Sequence, residues 1–181
     1  MEVRERILQA ALGLLAERGA QALTQPKVAA AAGIRQSHLT YYFPTRADLL
    51  QGVARHSIEA LATRLIARGR LAPDSLAAGL AAGSADKRRA RIMLGLVTAA
   101  DADPAIKRRL RRFIRELRAR MTPVLETGGL DVSPESVAFF HSVIVGCAVL
   151  QLARDNPEAR REARAVLHQA AGYLAGAKRS H

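Results

Sequence analysis

Between Arg35 and Arg46 the chain gathers side chains that can hold an anion or match a hydrogen-bonding edge. They are Arg35, Gln36, Ser37, His38, Thr40, Tyr41, Tyr42 and Arg46, within the stretch GIRQSHLTYYFPTR. Forked cations and short polar groups at this density suit contact with base edges and phosphates rather than bond-breaking chemistry. The rings sharpen the point. The chain has three Tyr, four Phe and no Trp, and three of those seven aromatics, Tyr41, Tyr42 and Phe43, are consecutive here. Tyr41 and Tyr42 carry a polar tip that can stay wet while the ring packs, whereas Phe43 has none and reads as a plug beneath the segment.

Such side chains need a rigid mount. Val3, Ile7, Ala10 and Leu14 recur at helical spacing, with Leu8 and Leu15 widening the stripe, so a first amphipathic helix is expected from Val3 to about Arg18, stopped by Gly19. Thr24 has N-cap chemistry, Pro26 fits a first turn, and KVAAAAG ends a short second helix at Gly33. A third short helix follows, about Gln36 to Tyr42, ended by Pro44, which biases Phe43 away from helical geometry. Thr45 can cap a fourth helix in which Leu50, Ala54, Ile58, Leu61 and Leu65 keep one face apolar towards Gly69.

Two helices of about seven residues joined by a glycine-bearing turn, braced on both sides by amphipathic helices, match a helix-turn-helix. Val28, Ala29, Ala32, Ile34 and Leu39 would hold the two together, leaving Arg35, Gln36, Ser37, His38, Thr40 and Tyr41 outside to enter a major groove.

From about Glu5 to Val53 the elements ILQAALGLLAERG, LTQPKVAAAAGI, YYF and TRADLL, in that order, resemble the N-terminal DNA-binding domain of TetR-type transcriptional regulators. The resemblance implies that Thr24, Tyr42 and Arg46 touch phosphates, and that Arg35, Gln36, His38 and Tyr41 lie on the recognition segment. Gln25, Lys27, Ser37 and Thr40 are counted with the same DNA-facing set. The chain departs from the family pattern at Thr40, where a tyrosine is common.

Lys and Arg number 28 against 16 Asp and Glu, a formal net charge of +12, which implies an anionic partner. Double-stranded DNA leads, and an anionic lipid surface or an acidic partner is the rival. Residues 1–56 hold only +3 of that charge, and the densest run is KRRLRRFIRELRAR, Lys107 to Arg120. There Ile106, Leu110, Phe113, Leu117 and Met121 form one stripe, so Lys107, Arg108, Arg111, Arg112, Arg115 and Arg118 face solvent.

Beyond Gly69, APDSLAAGLAAGSADKRR reads as a short, poorly packed helix between loops and hence as a domain boundary. Four more helices are expected, at 87–100, 104–126, 134–154 and 157–177, the last three each opening with a proline behind Asp103, Ser133 or Asn156. The expected architecture is all-α: an N-terminal three-helix helix-turn-helix domain at residues 1–56 (motif 24–43) and a larger helical ligand-binding and dimerisation domain at 57–181.

In that second domain the family resemblance implies a small-molecule pocket, for which Met93, Val97, Phe113, Leu117, Phe140, His141 and Ile144 are candidates. It also implies that the last two helices pair with their copies in a homodimer, through Gly146, Ala148, Val149, Leu152, Leu167, Ala170 and Leu174, over a near-palindromic operator. Repression is the expected outcome, with activation the alternative.

Cys147 has no partner for an internal disulfide, the N-terminus lacks a signal-peptide pattern, and the apolar run Val137–Leu152 is broken by His141, Ser142 and Gln151. That run falls short of the roughly 20 apolar residues a bilayer crossing needs. A cytoplasmic protein without a membrane partner is expected. His38, His56, His141, His168 and His181 show no zinc spacing, and neither a triad nor a phosphate-cradling glycine loop is evident, so no enzyme, metal or cofactor is expected.

Overall fold

The computed structural model describes residues 2–18, 22–67, 69 and 71–177. Gly19, the expected stop of the first helix, and His181 lie outside them. Among the described residues there are nine helices and no strand: α1 Val3–Arg18, α2 Gln25–Ala31, α3 Gln36–Tyr42, α4 Arg46–Ile66, α5 Pro73–Ser84, α6 Lys87–Ala102, α7 Pro104–Thr127, α8 Pro134–Arg154 and α9 Pro157–Ala177. The all-α expectation therefore holds.

The helix starts follow the side chains that cap them. Ala105 N–H donates to Asp103 Oδ1 at 2.7 Å, Ser136 N–H to Ser133 Oγ at 3.3 Å and Ala159 N–H to Asn156 Oδ1 at 2.8 Å. Each satisfies one of the amides that a helix leaves without an internal partner. Gly33, at φ +64°, makes the turn between α2 and α3 that an L side chain adopts only at a cost.

Two expectations are corrected. The segment around α5 is not poorly packed: Leu76, Ala77, Leu80, Ala81, Gly83 and Ser84 are all buried. A Cβ on Gly79 would stand 2.8 Å from Leu65 Cδ2, and one on Gly83 2.8 Å from Leu61 Cδ2, so the glycines permit close approach rather than mark a loose linker. The second correction concerns length. α8 runs for 21 residues at a mean hydropathy of 1.9 and by length and composition alone could cross a membrane, because a helix interrupted by three polar residues still carries enough apolar ones.

The described chain divides into two compact units, Met1–Ile58 with Arg91–Phe113, and Glu59–Ala90 with Ile114–His181. The expected domains are 1–56 and 57–181; in this division residues 91–113 join the first unit. Its core is built from Ile7, Leu8, Leu15, Leu23, Val28, Leu39, Phe43, Leu49, Leu50 and Val53, joined by Ile92, Leu96 and Phe113. In the second unit Leu76, Leu125, Leu130, Phe140 and Leu167 are the largest fully buried groups, with Leu174 beside them. α8 lies in this core through Val137, Phe140, His141, Cys147 and Gln151.

Gly52 leaves little room in the first unit: an added Cβ would stand 2.5 Å from Phe43 Cε1 and 3.4 Å from Leu8 Cδ2. An aromatic ring held on all sides cannot yield as a flexible chain end can. Gly52→Ala is therefore expected to destabilise the protein by about 1–2 kcal/mol, overpacking outweighing the gain of about 1 kcal/mol in helix propensity. Urea unfolding checks it. In the Phe43→Leu background the same substitution should cost measurably less, and equal costs in both backgrounds would remove the clash as the cause.

Candidate functional site

The ends of α2, α3 and α4 are drawn together by side chains. Gln25 Nε2 donates to the carbonyls of Phe43 at 2.8 Å and Pro44 at 2.9 Å, tying the start of α2 to the end of α3. Arg46 Nε donates to the Leu23 carbonyl at 3.0 Å, which places the guanidinium beside the entry to α2 and next in sequence to Thr24. At the start of α4, Thr45 N–H and Oγ1–H donate to Asp48 Oδ2 at 3.0 and 2.7 Å, and Asp48 N–H returns a bond to Thr45 Oγ1 at 3.1 Å. This reciprocal cap consumes backbone donors that an anion could otherwise have used.

The polar groups face outward around one buried anchor. From Arg35 to Tyr42 only Leu39 is buried; Arg35, Gln36, Ser37, His38, Tyr41 and Tyr42 are exposed and Thr40 is half-buried. Tyr41 is 81% exposed, Tyr42 36% and Phe43 4%, so the three consecutive rings part in the way their chemistry suggests. Tyr41 and Tyr42 meet edge to face at 5.3 Å between centroids, and the Arg4 guanidinium lies 5.6 Å from the centre of the Phe43 ring.

The expected DNA-facing residues are thus placed unevenly. Lys27 is exposed, and Thr24, half-buried, keeps its hydroxyl out of any side-chain cap. Gln25 spends both amide hydrogens inside the unit and acts as a brace, leaving only its oxygen for an outside partner. Thr40 Oγ1 donates to the Gln36 carbonyl at 3.0 Å, so that hydroxyl has no hydrogen to give elsewhere.

Sequence reasoning missed one tether. Asp48 Oδ1 accepts from Arg109 of α7, within the first unit. The spacing of Thr45 and Asp48 marks a capping box in the sequence, but nothing there joins either to residue 109. Around Arg109, Lys107, Arg108, Arg111 and Arg112 are all exposed while Leu110 and Phe113 pack on the core.

In the second unit the expected pocket and interface residues separate. Leu117, Phe140, His141 and Ile144 belong to this unit, whereas Met93, Val97 and Phe113 belong to the first. Val97 is 49% exposed and Phe113 is core. His141 is buried. Arg118 Nε–H donates to its Nδ1 at 3.3 Å, so the ring hydrogen sits on Nε2, which has no partner among the described residues. Burial, with the Arg118 charge second, holds His141 below the ordinary imidazole range. Burial likewise pushes the Cys147 thiol up, which leaves it a small hydrophobe.

The dimer set needs a correction. Leu167, Ala170 and Leu174 are buried inside their own unit and cannot meet a second copy. Ala148 and Leu152 are half-buried and line a small crevice together with Ser84 and Lys87. The open apolar face consists instead of Phe139, Leu150, Val166 and Tyr173, which are 39–70% exposed, with Phe139 and Tyr173 in ring contact at 5.8 Å. Between α8 and α9 this face holds a groove of about 220 Å³, lined by Val143, Gly146, Leu150, Ala163 and Val166 with Arg154 and Glu162 also on its wall. Among the described residues no three His, Cys, Asp or Glu side chains form a metal site.

The model of the bacterial regulatory proteins of the tetR family matches residues 7–53, which run from the first core residue of α1 through α2 and α3 to Val53 in α4. The HTH-type transcriptional regulator CymR of Pseudomonas putida is 30% identical over 123 residues, or 65% of this chain and 61% of CymR. Over these residues the chain resembles the regulators of the tetR family. Solved TetR structures share its fold along nearly the whole length. A TetR transcription regulator from Haloarcula marismortui superposes with a TM-score of 0.71 at 20% identity, covering 95% of this chain and 97% of that one. The multidrug binding protein EbrR, complexed with ethidium, superposes at 0.69 with 25% identity, covering 93% and 98%. The chain thus spans about three fifths of the length of CymR and nearly all of the two solved structures.

One outcome follows from His141. Its imidazole binds a proton more readily unfolded than folded, so the unfolded state is favoured as pH falls below about 6.5 towards the lowered folded value. The unfolding free energy should therefore drop more steeply between pH 7 and 5 in the wild type than in His141→Gln. Parallel pH dependences in urea titrations would show that residue 141 does not titrate on unfolding.

Proposed function

We propose that this chain is a sequence-specific DNA-binding transcriptional regulator of the TetR family, a homodimeric repressor released from a near-palindromic operator by a small molecule. The observation that carries the reading is the outward set of α3: Arg35, Gln36, Ser37, His38 and Tyr41 around the single buried Leu39, inside the segment that matches the family. Arg and Gln forks read base edges in the major groove, and Thr24, Tyr42 and Arg46 at the converging helix ends dock phosphates. Gln25 fixes their separation from within.

The exposed apolar face of α8 and α9 supports a two-fold dimer. Large apolar side chains clustered around a groove are costly to leave in water and suit a self-complementary surface. α8, with His141 and Gln151 buried in its own unit, is read as a core and interface helix rather than a membrane span. Two recognition helices related by that symmetry would reach major grooves about 34 Å apart.

For the effector, the second unit offers Leu117, His141 and Ile144, with His141 Nε2–H the one buried donor there still lacking an acceptor among the described residues. EbrR, of the same fold, holds ethidium. An effector need favour the non-binding arrangement by only about 1–3 kcal/mol.

Two measurements test the reading. In mobility shifts with genomic fragments selected by the purified protein, Arg35→Ala combined with Tyr42→Ala should weaken binding by at least about tenfold, since each contact carries roughly 1–3 kcal/mol. Unchanged binding would falsify the assignment. By light scattering at micromolar concentration the wild type should weigh twice its 19.5 kDa chain mass, and Leu150→Arg should yield the folded monomer. A wild-type monomer, or a dimer that survives Leu150→Arg, removes this face as the interface.

A further inference from the structure

The recognition elements leave most of the positive charge unexplained, and the first unit supplies a place for it. Residues 1–58 and 91–113 together carry thirteen Lys and Arg against six Asp and Glu, a net of +7, where residues 1–56 alone carry +3. The difference is concentrated on the first half of α7. Lys107, Arg108, Arg111 and Arg112 are exposed, and among the described residues none forms an ion pair or a side-chain hydrogen bond. Their neighbour Arg109 is bound to Asp48 at the start of α4, two residues from Arg46. Of the acidic residues nearest in sequence, Asp101 and Asp103 lie before the helix, Asp103 being occupied in capping it, and Glu116 follows Arg112 by one turn on α7.

We propose that Lys107, Arg108, Arg111 and Arg112 form a second phosphate-binding surface that grips duplex DNA outside the bases contacted by α3. The proposal rests on the DNA-binding reading above. Four cations within about 8 Å of helix axis face a polymer that carries one charge per roughly 1.7 Å. Side chains that meet only phosphates add affinity without sequence preference. A lipid surface fits less well, because Leu110 and Phe113, the apolar side of this stretch, are packed into the unit and leave no face to enter a bilayer. The Arg109–Asp48 pair gives the strip a fixed place in the unit that holds α3.

The test compares the wild type with the variant carrying Lys107→Ala, Arg108→Ala, Arg111→Ala and Arg112→Ala. Each is titrated with a wild-type-selected genomic fragment and with a random duplex of equal length, from low to high salt. The expected result is weaker binding to both duplexes by the same factor, roughly 10- to 100-fold at low salt, and a salt slope flatter by about 0.9 per lost phosphate contact. The hydroxyl-radical footprint should shorten at its flanks and keep its centre. A variant with Arg108→Lys, Arg111→Lys and Arg112→Lys should keep the slope, which separates charge from packing. An unchanged slope and footprint in the alanine variant overturn the proposal. So does loss of binding to phosphatidylglycerol vesicles with DNA binding intact, which would place a membrane on this strip. Should the wild type show no preference for selected over random DNA while the alanine variant still flattens the salt slope, the α7 surface stands and the recognition reading falls.

Discussion

The first unit depends on the seating of Phe43. Its ring occupies the space that Gly52 leaves by having no side chain, where Leu8 also closes in, and the Arg4 guanidinium lies over its face. One ring thereby fixes α1, the end of α3 and the second turn of α4 against each other. A buried aromatic of this size contributes about 1.5–3 kcal/mol through area alone, but its larger effect is geometric. Because interiors are packed as densely as organic crystals, the two tyrosines directly before Phe43 inherit its position. The outward angle of Tyr41 and Tyr42 is a consequence of what lies beneath them.

Around that plug the hydrogen bonds do a second kind of work. Gln25 and Arg46 both donate to main-chain carbonyls at helix ends, Phe43, Pro44 and Leu23. Such carbonyls are orphans of helix geometry and turns. Charged and amide groups that satisfy them convert flexible helix ends into a fixed frame, and residues that serve as frame are partly withdrawn from outside contact. Gln25 belongs to that class. Arg35, His38 and Tyr41 do not, since their side chains stand clear of the unit.

Much of this was legible in the sequence because local rules wrote it there. Helix bounds followed proline and cap positions: Asp103, Ser133 and Asn156 each accept the bond their place suggested. The division of the three rings followed from the hydroxyls on two of them. What failed to show was tertiary. Glycine in α5 looks the same whether it loosens a linker or lets Leu61 and Leu65 approach, and only the neighbour decides. Leu167, Ala170 and Leu174 share a helix with Val166 and Tyr173, and periodicity alone cannot say which side a partner helix of the same chain will claim. Nor does any local signal place residues 91–113 with 1–58, so the charge of the first unit does not follow from residues 1–56 alone.

Asp48 shows how closely the parts of the first unit are shared. One carboxylate oxygen accepts from Thr45 and closes the start of α4, while the other accepts from Arg109 and holds α7. The first bond is short-range and local. The second joins an exposed guanidinium to a carboxylate, a kind of pair worth about 0–1 kcal/mol and weakened by counterions. The same residue is therefore a rigid pin on one side and an adjustable clasp on the other. Loosening the clasp would release the Arg109 side chain, while Leu110 and Phe113 keep this part of α7 packed and the cap of the helix that carries Arg46 stays closed.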